Sequence, residues 1–192
     1  MSIELKTKKN QTKLNNLSLR PLIKTDCENV CRWMQSLYIL QYSFVVSGKK
    51  TLPKDFSTSD YTLRYFDMLL SNDKRETFAI IFNNIHIGNI GLKEIDKKKL
   101  SAECFIEIGE ANYRNRGLGT KAMKQILDLA FFEYNLEEIL LDVLEFNLRA
   151  IMVYDRLGFI VIGFNGWHYD EYGQYWKVLR MKLKKEQWQS YN

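Results

Sequence analysis

From Cys104 to Gly109 the chain is a strand-like run. It then passes through a glycine-bearing turn, Arg114-Asn115-Arg116-Gly117-Leu118-Gly119-Thr120, into a helical pattern that begins near Thr120. A second strand-like run, Glu138 to Leu144, follows. Two strands joined through a helix must lie parallel, with a right-handed crossover. The turn adds a chemical constraint. The first four N–H groups of a helix have no partner inside it, and the aligned peptide dipoles place roughly half a positive charge there. Glycine lets a ligand approach the backbone closely. A strand, a glycine turn and a helix in this order form a cradle for a phosphate-like anion.

Two common cradles are excluded by spacing. A nucleotide-binding P-loop needs Lys and then Ser or Thr after its last glycine, whereas Gly119 is followed by Thr120 and Lys121. A dinucleotide-binding turn needs three glycines as G-x-G-x-x-G, and here only Gly117 and Gly119 are present. Downstream, Asn147 suits a helix N-cap, Ala150, Val153, Tyr154 and Leu157 share a helical face, and Gly158 suits the C-terminal stop.

Arg114-x-x-Gly117-x-Gly119 resembles the pyrophosphate loop of the GNAT superfamily of acyl-coenzyme A dependent N-acetyltransferases. Asn147, Ala150, Tyr154, Gly158 and Phe159 resemble that superfamily's Asn-x-x-Ala-x-x-x-Tyr-x-x-x-Gly-Phe block. The resemblance covers about Leu17 to Leu183. Its wording is most like the branch holding ribosomal-protein N-terminal and polyamine acetyltransferases.

Composition agrees with one domain. At 192 residues a single domain buries roughly 70% of the surface of its unfolded chain. We expect a polar N-terminal arm over residues 1–16 and one N-acetyltransferase domain over 17–185. The apolar runs fall far short of the ~20 residues that span a bilayer, and no apolar signal core opens the chain, so a cytoplasmic protein with no membrane partner is expected. Three cysteines argue against a disulfide framework, and two histidines are too few for a structural zinc site, so no metal is expected. The net charge of +5 comes from scattered lysines, among them Lys97 to Lys99 in a hairpin turn. No basic stripe interleaved with aromatics is present, so no nucleic-acid partner is expected.

Along the chain, Leu17 to Pro21 alternates as a strand, and Thr25-x-x-Glu28 reads as a capping box opening a helix. Leu37 to Ser59 is ambiguous, and Asp60 to Leu70 is helical. Thr77 to Phe82, Asn83-Asn84 and Ile85 to Leu92 form a strand, turn and strand. Phe159 to Trp167 and Tyr175 to Leu183 form a closing hairpin. The fold class is therefore α/β in the mixed α+β sense: a mostly antiparallel sheet with a central parallel pair and helices on both faces.

The resemblance implies that this pair splays around acetyl-coenzyme A (acetyl-CoA), the acetyl donor. Ile108 on the first strand, Arg114, Arg116, Gly117, Leu118, Gly119 and Thr120 of the loop, and Asn147 would then contact the coenzyme. It also implies that Tyr154 supplies the proton for the departing thiolate, although its place on an apolar face equally suits a core tyrosine. Glu107 is the candidate base, with Glu103 and Glu145 as alternatives. Asn147 is either a ligand to the pantetheine or acceptor, or a helix cap alone. The expected acceptor is a small-molecule amine, such as an amino sugar, polyamine or antibiotic, with a peptide N-terminus as the alternative, and the protein is expected to be a monomer or homodimer. Trp33, Tyr38, Tyr42, Phe44, Trp167, Tyr169, Tyr172, Tyr175 and Trp176 are candidates for the acceptor walls, with Asp170 and Glu171 to attract a cationic amine. A non-catalytic acyl-coenzyme A binding module remains the alternative of another class.

Overall fold

The computed structural model describes residues 16–40, 42, 60–170 and 173–191. All but one residue of the expected N-terminal arm lies outside this set, as do Phe44, Glu171 and Tyr172. Seven strands form one sheet: β1 (Leu17–Pro21), β2 (Glu76–Phe82), β3 (Ile85–Asp96), β4 (Ser101–Ile108), β5 (Glu138–Leu144), β6 (Ile160–Tyr169) and β7 (Tyr175–Lys184). Their spatial order is β1-β2-β3-β4-β5-β7-β6. Only β4 and β5 run parallel; every other pairing is antiparallel. This is the mixed sheet expected from the sequence.

Two apolar layers cover the two faces. On one face lie α1 (Cys27–Met34), the single turn α2 (Leu37–Leu40) and α3 (Asp60–Leu69), whose Val30, Trp33, Met34, Ile39, Phe66 and Leu69 pack on Ala79. On the other lie α4 (Leu118–Asp128) and α5 (Leu148–Arg156). Ala122, Met123, Ile126 and Leu127 of α4 fill the space above Ile80, Ile90, Ala102, Cys104 and Ile139. Each large aliphatic side chain buried this way contributes roughly 1.5–3 kcal/mol.

Three local features differ from the sequence reading. The capping box at Thr25 does not form. Asp26, nearly fully buried, instead accepts from the Ile23 N–H at 2.9 Å and pairs with Arg20 at 2.7 Å, so α1 starts only at Cys27. The helix after the glycine turn starts at Leu118, not Thr120, and widens after Asp128 into a π-helical turn, Leu129–Glu133. A helix α6 (Lys185–Tyr191) follows β7. Its Trp188 is fully buried in the α4 layer and donates its indole N–H to Asp128 at 2.9 Å, so packing continues past residue 185.

Cys27 and Cys31 lie one turn apart on α1 with their Sγ atoms at 3.4 Å, and Cys104 is buried beside Met123. Among the described residues no helix is long and apolar enough to cross a membrane, and no group of three or more His, Cys, Asp or Glu is placed to hold a metal. The edge strand β6 leaves Ile160, Val161, Ile162, Phe164 and Trp167 about half exposed.

Gly109 follows β4 directly beneath Trp33, and a Cβ built there would stand 1.9 Å from the indole. Gly109→Ala is therefore expected to displace Trp33 from the layer around α1 and lower stability by about 1–3 kcal/mol, read as a fall in thermal midpoint. An unchanged midpoint would show that the layer around Trp33 yields freely.

Candidate active site

The parallel strands pair only over Ser101↔Glu138, Ala102↔Ile139 and Glu103↔Leu140. Beyond that point β4 stays paired with β3 as far as Ile108, and β5 with β7 as far as Leu144. The two strands therefore part while each is held by its outer neighbour. A cavity of about 410 Å³ occupies the gap. Strand alternation gives it two chemically different halves. Cys104, Ile106 and Ile108 face α4 and α5, whereas Glu103, Phe105 and Glu107 face α1 to α3; all six line it.

The α4 half holds the glycine turn. Gly117 is the N-cap of α4 with a left-handed φ of 77°, a conformation that strains any residue with a Cβ. The first intrahelical bond runs from the Lys121 N–H to the Gly117 carbonyl at 3.1 Å, so the N–H groups of Leu118, Gly119 and Thr120 have no partner within the helix. Gly119 faces β4, and a Cβ there would meet only Ile106 and Ile108, at 3.7 and 3.8 Å. The protein itself leaves room for that atom. Arg149, which the sequence reading passed over, stands at this end with its guanidinium 3.4 Å from the Asn115 side chain, and both line the cavity.

Tyr154 enters the same half from α5, one turn beyond Ala150. Burial pushes its phenol well above the usual range, so it stays protonated and able to donate. Its hydroxyl makes no hydrogen bond to another described residue. Asn147 caps α5 by accepting from the Ala150 N–H at 3.3 Å, and it also lines the cavity. The cap and the site are compatible, because one amide oxygen makes the cap and the NH₂ remains.

Not every expected residue faces the cavity. The Leu118 side chain is buried in the core, and Arg116 is an exposed residue lying over the Tyr113 ring at 5.7 Å. Arg114 lines the cavity, but its guanidinium donates to the Ile108 carbonyl at 2.8 Å and the Gly109 carbonyl at 2.6 Å and stacks 4.0 Å from the Tyr38 ring. It closes the free end of β4.

On the opposite half, Glu107 has a buried Oε1 with no hydrogen-bond partner. Burial pushes its carboxyl up to about 7, against smaller opposing effects of the Asn89 amide and the Arg114 charge. Asn89 sits directly across from it on β3. His86 Nε2 lies 3.0 Å from both the Gly88 carbonyl and Asn89 Oδ1. Both partners are acceptors, which puts the His86 proton on Nε2 and turns the Asn89 amide oxygen away from Glu107. The alternative bases are otherwise engaged. Burial alone would raise the Glu103 carboxyl, but its pairs with Lys93 and with Arg180, the latter at 2.6 Å, hold it below its ordinary value. Glu145 accepts from the Lys177 N–H at 2.7 Å and does not line the cavity.

Of the expected aromatic walls, Tyr38 and Tyr42 line the cavity, joined by Tyr65 and Phe105. Trp33 belongs to the core and donates to Glu110. Trp167, Tyr175 and Trp176 of the closing hairpin do not line it, and Asp170 is occupied in that hairpin's turn, accepting from Gln174 and Trp176.

Residues 16–160 match the family model described as Acetyltransferase (GNAT) domain, and the chain belongs to that family of N-acetyltransferases. It is 27% identical over 174 residues to the spermidine N(1)-acetyltransferase of Escherichia coli strain K12, covering 91% of this chain and 89% of that protein. The fold is similar to that of the spermidine N-acetyltransferase from Vibrio cholerae in complex with CoA and spermine: TM-score 0.76, 23% identity, 91% of this chain and 98% of that one. A dodecameric structure of the Vibrio cholerae enzyme in an intermediate state gives a TM-score of 0.71 at 22% identity, covering 90% of this chain and 96% of that one.

Two variants test the two halves separately. Gly119→Val is expected to keep the thermal midpoint within a few degrees and to weaken coenzyme A binding at least tenfold by titration calorimetry, whereas wild-type affinity in the folded variant would place the diphosphate elsewhere. For Glu107, the folded carboxyl near 7 lies above the unfolded value of about 4.3. The fold thus favours the neutral form, and wild-type stability declines as pH rises between those values. Glu107→Gln escapes that decline, so its midpoint should gain on wild type between pH ~4 and ~8. A constant difference would mean that Glu107 is solvated.

Proposed function

We propose that this protein transfers the acetyl group of acetyl-CoA directly to the primary amine of a small molecule, through a tetrahedral intermediate formed in the gap between β4 and β5. The observation that carries this reading is the position of Tyr154 and Glu107 on opposite halves of one continuous cavity. Donor and acceptor can then enter from opposite faces of the sheet and meet where the strands part.

The coenzyme, when bound, supplies an acyl thioester. The amides of Leu118, Gly119 and Thr120 hold its diphosphate, Arg149 adds positive charge at that mouth, and Asn147 orients the arm. An alkylamine of pKa ~10.4 must lose a proton, which costs roughly 4–5 kcal/mol at pH 7. Glu107, poised near 7, takes that proton. On the other side Tyr154 donates a hydrogen bond to the developing thiolate. Full transfer from an ordinary phenol to a thiolate of pKa ~8.5 is uphill by about 2 kcal/mol, and burial of Tyr154 makes it steeper. Its contribution is therefore stabilisation of developing charge.

A small molecule is preferred over a protein N-terminus because the curated relative is named for a polyamine acceptor. Amino sugars and amine-bearing antibiotics belong to the same chemical class. The half-exposed apolar strip on β6 supports a homodimer over a monomer.

Thiol release and product mass, measured with acetyl-CoA across polyamines, amino sugars, aminoglycosides and short peptides, test this reading. We expect turnover with a small amine and a rate that rises with pH through about 7. Tyr154→Phe should lower turnover at least tenfold while leaving coenzyme affinity nearly unchanged. Acetylation of peptides alone would move the assignment to protein N-termini, and an unchanged rate in Tyr154→Phe would remove that residue from the chemistry.

A further inference from the structure

The charges on the acceptor half are unevenly committed. Glu103 pairs with Lys93 and Arg180, and Arg180 also meets Asp142 at 3.0 Å, so two carboxylates and two cations form a neutral set. Glu107 remains as an acid with a buried, unbonded oxygen. Facing the same half is Arg75, which lines the cavity just ahead of β2. Its guanidinium carbon lies 5.2 Å from the Phe105 ring centroid, and it forms no ion pair with any described residue. Burial pulls its pKa below the ordinary value, and the charges of Tyr65, Glu94 and Glu103 oppose that only in part.

A partly desolvated cation that lacks a counter-ion is unfavourable in the free protein and favours any anion that reaches it. The planar fork of arginine matches carboxylate and phosphate. Phe105, on which Arg75 stacks, and Glu107 are alternate residues of β4, so their side chains stand on one face about 7 Å apart. We infer that the acceptor carries, besides the amine placed at Glu107, an anionic group, carboxylate or phosphate, that pairs with Arg75 about 7–10 Å away. This rests on the acetyl-transfer reading above and narrows its substrate class. Among the described residues, a bare polycation such as spermidine would meet one uncommitted carboxylate and a guanidinium without an ion pair.

The test uses ε-aminocaproate, aminopentyl phosphate, aminohexanol and spermidine as probes. Binding is followed by titration calorimetry in the presence of coenzyme A, and turnover by thiol release from acetyl-CoA. Wild type should bind at least one anionic amine about tenfold or more above aminohexanol and spermidine, and the better of the two acids identifies the group. In Arg75→Met, which keeps the side-chain length and the contact with Phe105, that advantage over aminohexanol should vanish. Tighter binding of spermidine than of either acid, or an unchanged ratio in Arg75→Met, overturns the inference. If that variant fails to fold, the wild-type ranking decides alone. Arg75-dependent binding without thiol release sustains the anion site and overturns the acetyl-transfer reading; thiol release indifferent to Arg75 does the reverse.

Discussion

After Glu103 and Leu140, β4 and β5 stop pairing, and the cavity of this protein is arranged around that separation. A sheet interior is normally closed by its own ladder of hydrogen bonds. Here the outer neighbours, β3 and β7, hold each strand in register while the centre opens. The result is a passage through the sheet, lined by consecutive residues of one strand that point alternately to its two sides. One strand thus presents apolar groups to one side of the passage and a carboxylate to the other.

The two halves use opposite electrostatic devices. The α4 half relies on backbone: amides at a helix end, made accessible by Gly117 and Gly119, with little help from side chains because Arg114 is turned back onto the end of β4. The α1 half relies on side chains whose charges are mostly cancelled in pairs. What survives the cancellation is a carboxyl pushed up by burial at Glu107 and a guanidinium pulled down by burial at Arg75. Both shifts share one leading cause, removal from water, and neither group forms an ion pair with a described residue.

Much of this was legible before folding. The glycine turn, the Asn147 to Phe159 block and strand alternation located the cradle, Tyr154 and the side of β4 that carries Glu107. Less visible was the state of each group. Arg114 belongs to the motif, yet its guanidinium is held by carbonyls five and six residues back. Trp33, an apparent pocket wall, is core because Gly109 lets it pack against the end of β4. Asp26 displaced the expected cap at Thr25 because Arg20 and the Ile23 N–H meet it there. Arg75 carries no motif at all, and only its placement over Phe105 draws attention to it.

By itself the sequence determined the order of strands and helices, the parallel crossover, and the position of the glycine turn, because these depend on periodicity, glycine placement and capping over short stretches of chain. Tertiary structure alone decided which carboxylate stays buried without an ion pair, which arginine has no ion pair among the described residues and which aromatics line the cavity. Those properties depend on desolvation and on partners up to 77 residues apart, as in Glu103 with Arg180, and no local pattern encodes how much water a charge retains.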